Sequence, residues 1–277
     1  MGKRIVYFIS AVLFDGGIDR QYKPHYGNIA FKQRKRIVDC VFHVFGDLRN
    51  KESNPKRGYM VRFPKTIGIL LNSCFKIGVG NKMYANNKVP KFVYKFSKKL
   101  KGLFLRQAFD DEGSVSINKK LILIVGAIDV SRKDFNSKRT IVSYHLLNDV
   151  KDLLLDLGIE PNPIRISSKK YYNTEYRKKG NYYRHVFVFS ISGRRNLCKF
   201  YDLVCFNLDY KKEGLKSMLK SYKMWQLRKG EIYKIAVLEA KKLQNISGYF
   251  DNILLSNVIK RPYRQTVRIT EKLLEDK

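Results

Sequence analysis

Phe8-Ile-Ser-Ala-Val-Leu-Phe-Asp15-Gly-Gly17-Ile18 and Leu105-Arg-Gln-Ala-Phe-Asp-Asp-Glu112-Gly-Ser114-Val115 repeat one design. Each is an apolar run long enough for two helical turns, ending in a carboxylate followed at once by glycine. Superposed, Asp15 meets Glu112, Gly16 meets Gly113, and Ile18 meets Val115. The copies lie about a hundred residues apart, the length of a small domain. A chain built twice, with an acid closing the first helix of each copy, brings two carboxylates to a pseudo-twofold axis. Small residues at Ser10, Ala11 and Ala108 suit close packing of those helices. The glycines suit a sharp exit from each helix, since glycine tolerates left-handed backbone geometry.

The setting of those acids is strongly basic. Lys and Arg number 56 against 24 Asp and Glu, a formal charge of +32. Such a field attracts nucleic acid or an anionic membrane surface and makes association salt-sensitive. A ribosomal-type protein or a lysine-rich genomic bias accounts for the same numbers. Apolar residues make up 44%, with 17 Phe and 18 Tyr, enough for a substantial core. No apolar run approaches the ~20 residues of a membrane span. The N-terminus lacks a cleavable signal pattern, because Asp15 cuts its apolar stretch short. Cys40, Cys74, Cys198 and Cys205 form no CxxC pair and sit in apolar surroundings. They are expected to be buried thiols of a cytoplasmic protein, neither zinc ligands nor disulfides. His25, His43, His145 and His185 show no metal spacing, and no phosphate-loop or dinucleotide glycine pattern occurs.

Element order can be read from periodicity. After the first motif, Ile18–Lys23 and Asn28–Gln33 alternate like a hairpin turning at Pro24–Gly27. Ile37, Val38, Val41, Phe42 and Phe45 follow at helical spacing, stopped by Gly46. Lys51–Gly58 reads as a loop, Tyr59–Phe63 as a strand and Thr66–Phe75 as a helix. Gly78–Val89 is a linker, and Pro90 opens the helix into the second motif. The second copy retraces the order: strands at Ser114–Asn118, Leu121–Ile128 and Thr140–Tyr144, then a helix over His145–Leu157 closed by Gly158. A hairpin of Ile164–Tyr172 and His185–Ser192 follows, then a helix over Arg194–Phe206. From Lys211 the composition changes to a connecting helix anchored by Trp225 and three apolar periodic segments. Their spacing fits either a helix-turn-helix offering Arg264 and Arg268, or a plain three-helix cap. The expected divisions are 1–88, 89–210 and 211–277.

Paired acids in a basic chain suit phosphodiester hydrolysis, which needs a divalent ion to activate water and offset charge on phosphate. Magnesium keeps several waters and accepts a few carboxylates, so one acid from each half suffices. Taken alone, Asp15-Gly16 is explained by an ordinary helix end, and Asp110-Asp111-Glu112 by a hydrated acidic cluster. The repetition speaks against coincidence.

The two stretches resemble the signature motifs of single-chain LAGLIDADG homing endonucleases of the archaeal intron type. The resemblance covers about residues 4–206. It implies an α+β fold, a pseudo-twofold pair of αββαββα halves whose sheets straddle duplex DNA, here followed by a C-terminal helical region. It implies a monomer that cuts both strands with Mg2+ (Mn2+ as substitute) held by Asp15 and Glu112, assisted by the carbonyls of Phe14 and Asp111. It further implies Gln33, at the end of a strand, as organiser of the hydrolytic water, and Arg62 as a basic residue on a later strand. Candidate DNA contacts are Arg20, Lys32, Arg34, Lys119, Arg132, Lys169, Lys170 and Arg177. The sequence departs from the signature at Ser10 and Gln107, where glycine is usual, and Val142-Ser-Tyr144 offers no counterpart to Gln33. A catalytically weak or inactive DNA-binding regulator or intron-splicing cofactor on the same scaffold is the alternative, and an RNA-associated basic protein a third.

Overall fold

Helix α1 (Lys3–Leu13) is apolar around nearly its whole circumference, as a helix buried on all sides must be. Val6, Phe8, Ile9, Ala11, Val12 and Leu13 are all buried. The computed structural model, which describes residues 2–48, 51–53, 59–80, 87–130, 144–172, 182–222 and 242, gives the reason. Helix α1 is packed between α2 (Phe31–Phe45) and α4 (Lys98–Glu112).

The first half runs α1, β1 (Gly16–Ile18), β2 (Pro24–Gly27), α2, β3 (Lys51–Ser53), β4 (Met60–Arg62) and α3 (Lys65–Phe75). A 3-10 turn at Lys91–Lys95 leads to the second half. That half runs α4, β5 (Gly113–Ser116), β6 (Leu121–Val130), α5 (His145–Asp156), β7 (Arg165–Tyr172), β8 (Tyr182–Ser192) and α6 (Arg194–Leu203). The two sheets have equivalent strand orders, β1-β2-β4-β3 and β5-β6-β8-β7, antiparallel throughout. The fold is thus α+β, with αββαββα occurring twice. A further helix covers 209–222. The chain divides into two compact units, Met1–Ser217 and Met218–Lys277. No described helix is long and apolar enough to cross a membrane.

Each sheet turns one face to its helices. On β6, Ile122, Ile124 and Ile128 are buried and pair with Ile191, Phe189 and His185 of β8. Phe109 of α4 packs edge-on to Phe200 of α6 at 4.8 Å. The first half closes likewise, with Phe8 against Phe63 at 5.3 Å and against Phe45 at 6.1 Å. Helix α4 begins at Ser97, whose hydroxyl accepts from the Leu100 amide, a cap that relieves one orphan donor. Pro90 precedes only the 3-10 turn.

Several local expectations are corrected. The first hairpin pairs Gly16–Ile18 with Pro24–Gly27 and turns through 19–23. Pro24 therefore opens a strand, a position where its missing N–H is tolerated. Asn28 begins no strand: its Oδ1 accepts from the Ala30 amide at 2.9 Å, an Asx turn that starts α2. Lys51–Ser53, expected as loop, is an edge strand on β4. Cys74 is exposed, unlike buried Cys40 and Cys205. Of the expected strand Thr140–Tyr144 only Tyr144 is described. Trp225 and all but residue 242 of the C-terminal periodic segments lie outside the described residues.

The motif glycines serve a purpose other than left-handed geometry. Gly113 has φ −88, and Gly16 is not among the positive-φ residues. A Cβ on Gly16 would stand 2.5 Å from the His25 carbonyl oxygen and 2.8 Å from that of Ala11. On Gly113 it would stand 2.5 Å from the Phe109 carbonyl oxygen. The chain folds back against its own helix there, leaving no room for a side chain. Gly16→Ala and Gly113→Ala are expected to destabilise by about 1–3 kcal/mol each through overpacking. Urea unfolding checks this; unchanged midpoints would refute the steric account.

Candidate functional site

The ends of α1 and α4 meet at a seam between the halves. Ser10 Oγ donates to the Phe104 carbonyl at 2.8 Å, wholly buried, and the Phe14 ring stands edge-on to Phe104 at 6.1 Å. That contact delivers Asp15 and the Asp110-Asp111-Glu112 run to one region. Asp15 Oδ2 accepts from Asn28 Nδ2 at 2.9 Å. Tyr26 Oη, from β2 of the first half, donates to Asp111 Oδ1 of the second at 2.7 Å. Gln107 Nε2 donates to the same oxygen at 2.9 Å and reaches Tyr26 Oη at 3.2 Å. Asp111 Oδ2 is buried with no hydrogen-bond partner. Burial and then the charge of Asp15 push the Asp111 carboxyl well above the usual carboxylate range, against the pull of Tyr26 and Gln107. The Tyr26 phenol is pushed up by burial first and by Asp111 second.

Asp110 points the other way. Its carboxylate accepts from the amides of Asn207 (3.0 Å) and Leu208 (3.2 Å) and from Asn207 Nδ2 (2.8 Å), with Arg36 Nη1 3.7 Å off. This clamp fixes the chain after α6, and three residues later Lys211 enters the seam. Lys211 is 6% exposed, and its ammonium donates to the carbonyls of Phe109 (3.1 Å) and Asp110 in the last turn of α4. Burial lowers its affinity for a proton, while Asp110, Asp111, Asp15 and Glu112 act to raise it. Asp15, Asn28, Tyr59, Asp110, Asp111 and Lys211 are among the residues lining an open cavity of about 680 Å³.

Residues 99–205 match the family described as LAGLIDADG-like domain. A solved structure of I-DmoI in complex with DNA and Ca superposes on 77% of this chain and 97% of its own, at TM-score 0.50 and 12% identity. The chain has the LAGLIDADG homing-endonuclease fold. Full-length DUF199/WhiA from Thermatoga maritima aligns with 99% of the chain at TM-score 0.43 and 10% identity. A probable translation initiation factor IF-2 of Thermococcus kodakarensis is 29% identical over 171 residues. That stretch is 62% of this chain and 12% of the curated relative's length.

On the LAGLIDADG scaffold Asp15 follows α1 and Glu112 ends α4, in corresponding places before Gly16 and Gly113. Gln33 is in the first turn of α2, not at the end of a strand, because the Asx turn at Asn28 starts the helix early. It is fully buried, and its Oε1 accepts from Arg36 at 3.0 Å. Arg34 is 5% exposed: its guanidinium donates to the carbonyls of Asn28 and Ile29 and lies 4.5 Å from the Tyr59 ring centroid. It holds the turn together, so its assignment as an outward DNA contact is corrected. Lys32 pairs with Asp209 at 2.7 Å on the surface. Arg20, Arg62, Lys119, Lys169 and Lys170 are exposed, while Arg132, Arg177, Arg264 and Arg268 lie outside the described residues. Sequence reasoning missed Tyr26, Asn28 and Lys211. Tyr26 was hidden in an assumed turn, and Lys211 stood only at a change of composition.

Among the described residues no group of three or more His, Cys, Asp and Glu side chains is gathered for a metal. The donors present are carboxylates: Asp15 follows α1, Glu112 ends α4, and Asp111 Oδ2 is buried without a hydrogen-bond partner. Hard oxygen donors few in number fit magnesium, which needs only one or two protein carboxylates.

The raised Asp111 carboxyl carries a stability consequence. A group whose native pKa lies above its unfolded value contributes fully below the unfolded value, and the contribution is lost as pH rises through the native one. Asp111→Asn retains an acceptor for Tyr26 and Gln107 but cannot ionise. Its melting temperature is expected to rise relative to the unsubstituted protein as pH is raised through and above the ordinary carboxylate range, about 4. A constant difference across that range would contradict the burial of this acid.

Proposed function

We propose that this protein is a site-specific double-strand DNA endonuclease that hydrolyses phosphodiesters with a divalent ion, Mg2+ or Mn2+, held by Asp15 and Glu112. The observation that carries the reading is one cavity lined by Asp15 of the first half and by Asp110 and Asp111 of the second, with Glu112 closing α4 in the place that corresponds to Asp15. In this reading the chain works as a monomer, since both halves are in one polypeptide. The carbonyls of Phe14 and Asp111 complete the donor set. When bound, the ion activates water and offsets charge on the pentacovalent phosphate. Asn28 orients Asp15 through its 2.9 Å hydrogen bond. Exposed Arg62 on β4 stands beside His25 in register and is assigned to the phosphate.

The charge of +32 supports duplex DNA as partner. Lys169 and Lys170 on β7, Lys119 in the β5–β6 turn and Arg20 in the first hairpin turn are the assigned phosphate contacts, all exposed. Phosphate contacts fix register, while outward strand residues read bases. One observation favours a second reading, a DNA-binding regulator or splicing cofactor: buried Lys211 lines the same cavity as Asp15 and Asp111.

Asp15→Asn and Glu112→Gln are each expected to abolish magnesium-dependent nicking of the target duplex while leaving duplex binding intact. Target sites come from cleavage selection on a randomised duplex library. Binding without cleavage in the unsubstituted protein, across magnesium and manganese concentrations, would reject the nuclease reading in favour of the regulator. Duplex affinity is expected to fall linearly in log–log form with salt, releasing several counterions. A flat salt response, measured by fluorescence anisotropy, would refute DNA as partner.

A further inference from the structure

We propose that Lys211 is a built-in counter-cation of the acidic seam, competing with a divalent ion for the field of Asp15, Asp111 and Glu112. The proposal rests on the reading of Asp15 and Glu112 as a divalent-ion site. Lys211 follows the last residue of the matched domain by six positions and enters from the helix over 209–222. It is held there by construction: Asp110 grips the amides of Asn207 and Leu208, so the chain passes the end of α4 on a fixed path. Rings of Phe206 and Tyr210 lie 5.9 Å and 6.0 Å from the ammonium, within cation–π range.

A lysine capping a helix C-terminus is ordinary at a surface, where the ammonium keeps its water. Here the side chain is buried on the wall of the cavity that Asp15, Asp110 and Asp111 also line. Burying a charge is costly unless it is paired. The Lys211 ammonium donates to two α4 carbonyls, and the acids nearby favour its charged form. The same carboxylates are the donors a divalent ion would use. A resident positive charge weakens the field available to a second cation, and the more so as water is excluded. Asp111 Oδ2, buried and unpartnered, marks the oxygen that neither Tyr26 nor Gln107 satisfies and that an added cation would meet.

The test is direct Mn2+ binding to the full chain without DNA, read by isothermal calorimetry and by the loss of the free-ion paramagnetic resonance signal. Lys211→Met and Lys211→Gln remove the charge, the glutamine retaining a donor for the α4 carbonyls, while Lys211→Arg keeps it. Both neutral variants are expected to bind Mn2+ about tenfold or more tightly than the unsubstituted protein, and the arginine variant within about twofold of it. Adding Asp15→Asn to Lys211→Gln should remove the gain. Equal affinity in a folded neutral variant and the unsubstituted protein would overturn the proposal. So would a dissociation constant below about 10 μM in the unsubstituted protein, a measurement that needs no variant to fold. Failure of the nuclease reading shows separately, as absence of cleavage with the affinity shift intact.

Discussion

The structure depends on close contact between α1 and α4. Two helices carrying Ser10, Ala11 and Ala108 on facing sides approach until a side-chain hydroxyl bonds the opposite backbone, Ser10 to Phe104. Small residues make that approach possible, and it puts the last turns of both helices beside each other. Each helix also begins its own sheet, because Gly16 and Gly113 let β1 and β5 fold tightly back. One helix pair therefore joins the two halves and brings Asp15, Asp110 and Asp111 to one cavity.

The convergence has electrostatic consequences. Acids brought together under partial burial cannot all remain charged without compensation. Three devices answer this. Asp110 is taken out of the group by amides from the chain after α6. Asp111 accepts from Tyr26 and Gln107, which offset part of the upward push that burial and Asp15 give its carboxyl. Lys211 supplies a positive charge from beyond the matched domain. Asp15 and Glu112 remain the acids in corresponding positions of the two halves, which is why the proposed divalent ion is assigned to them.

Much of this was legible in the sequence because it is local and repeated. The two motifs, the stops at Gly46 and Gly158, and the long β7–β8 hairpin all follow from periodicity and turn chemistry. Pro24 and Asn28 misled because each has two meanings: proline as turn or strand opener, asparagine as strand residue or helix starter. Placing Gln33 and Arg34 depended on that one turn, and both moved from an outward strand into the buried first turn of α2. The Tyr26–Asp111–Gln107 network and the Lys211 contacts join residues 81 to 102 positions apart. No local pattern announces such pairs. Gln107, which departs from the usual small residue of the motif, fits because its amide satisfies Asp111 and Tyr26.

The central claim, that the two halves offer their acids to one shared cation, is tested most directly by anomalous scattering from a manganese-soaked crystal of the protein with duplex DNA. A peak bridged by the carboxylates of Asp15 and Glu112 is the predicted result. Ordered carboxylates facing separate surroundings, with manganese absent between them or bound elsewhere, would contradict it.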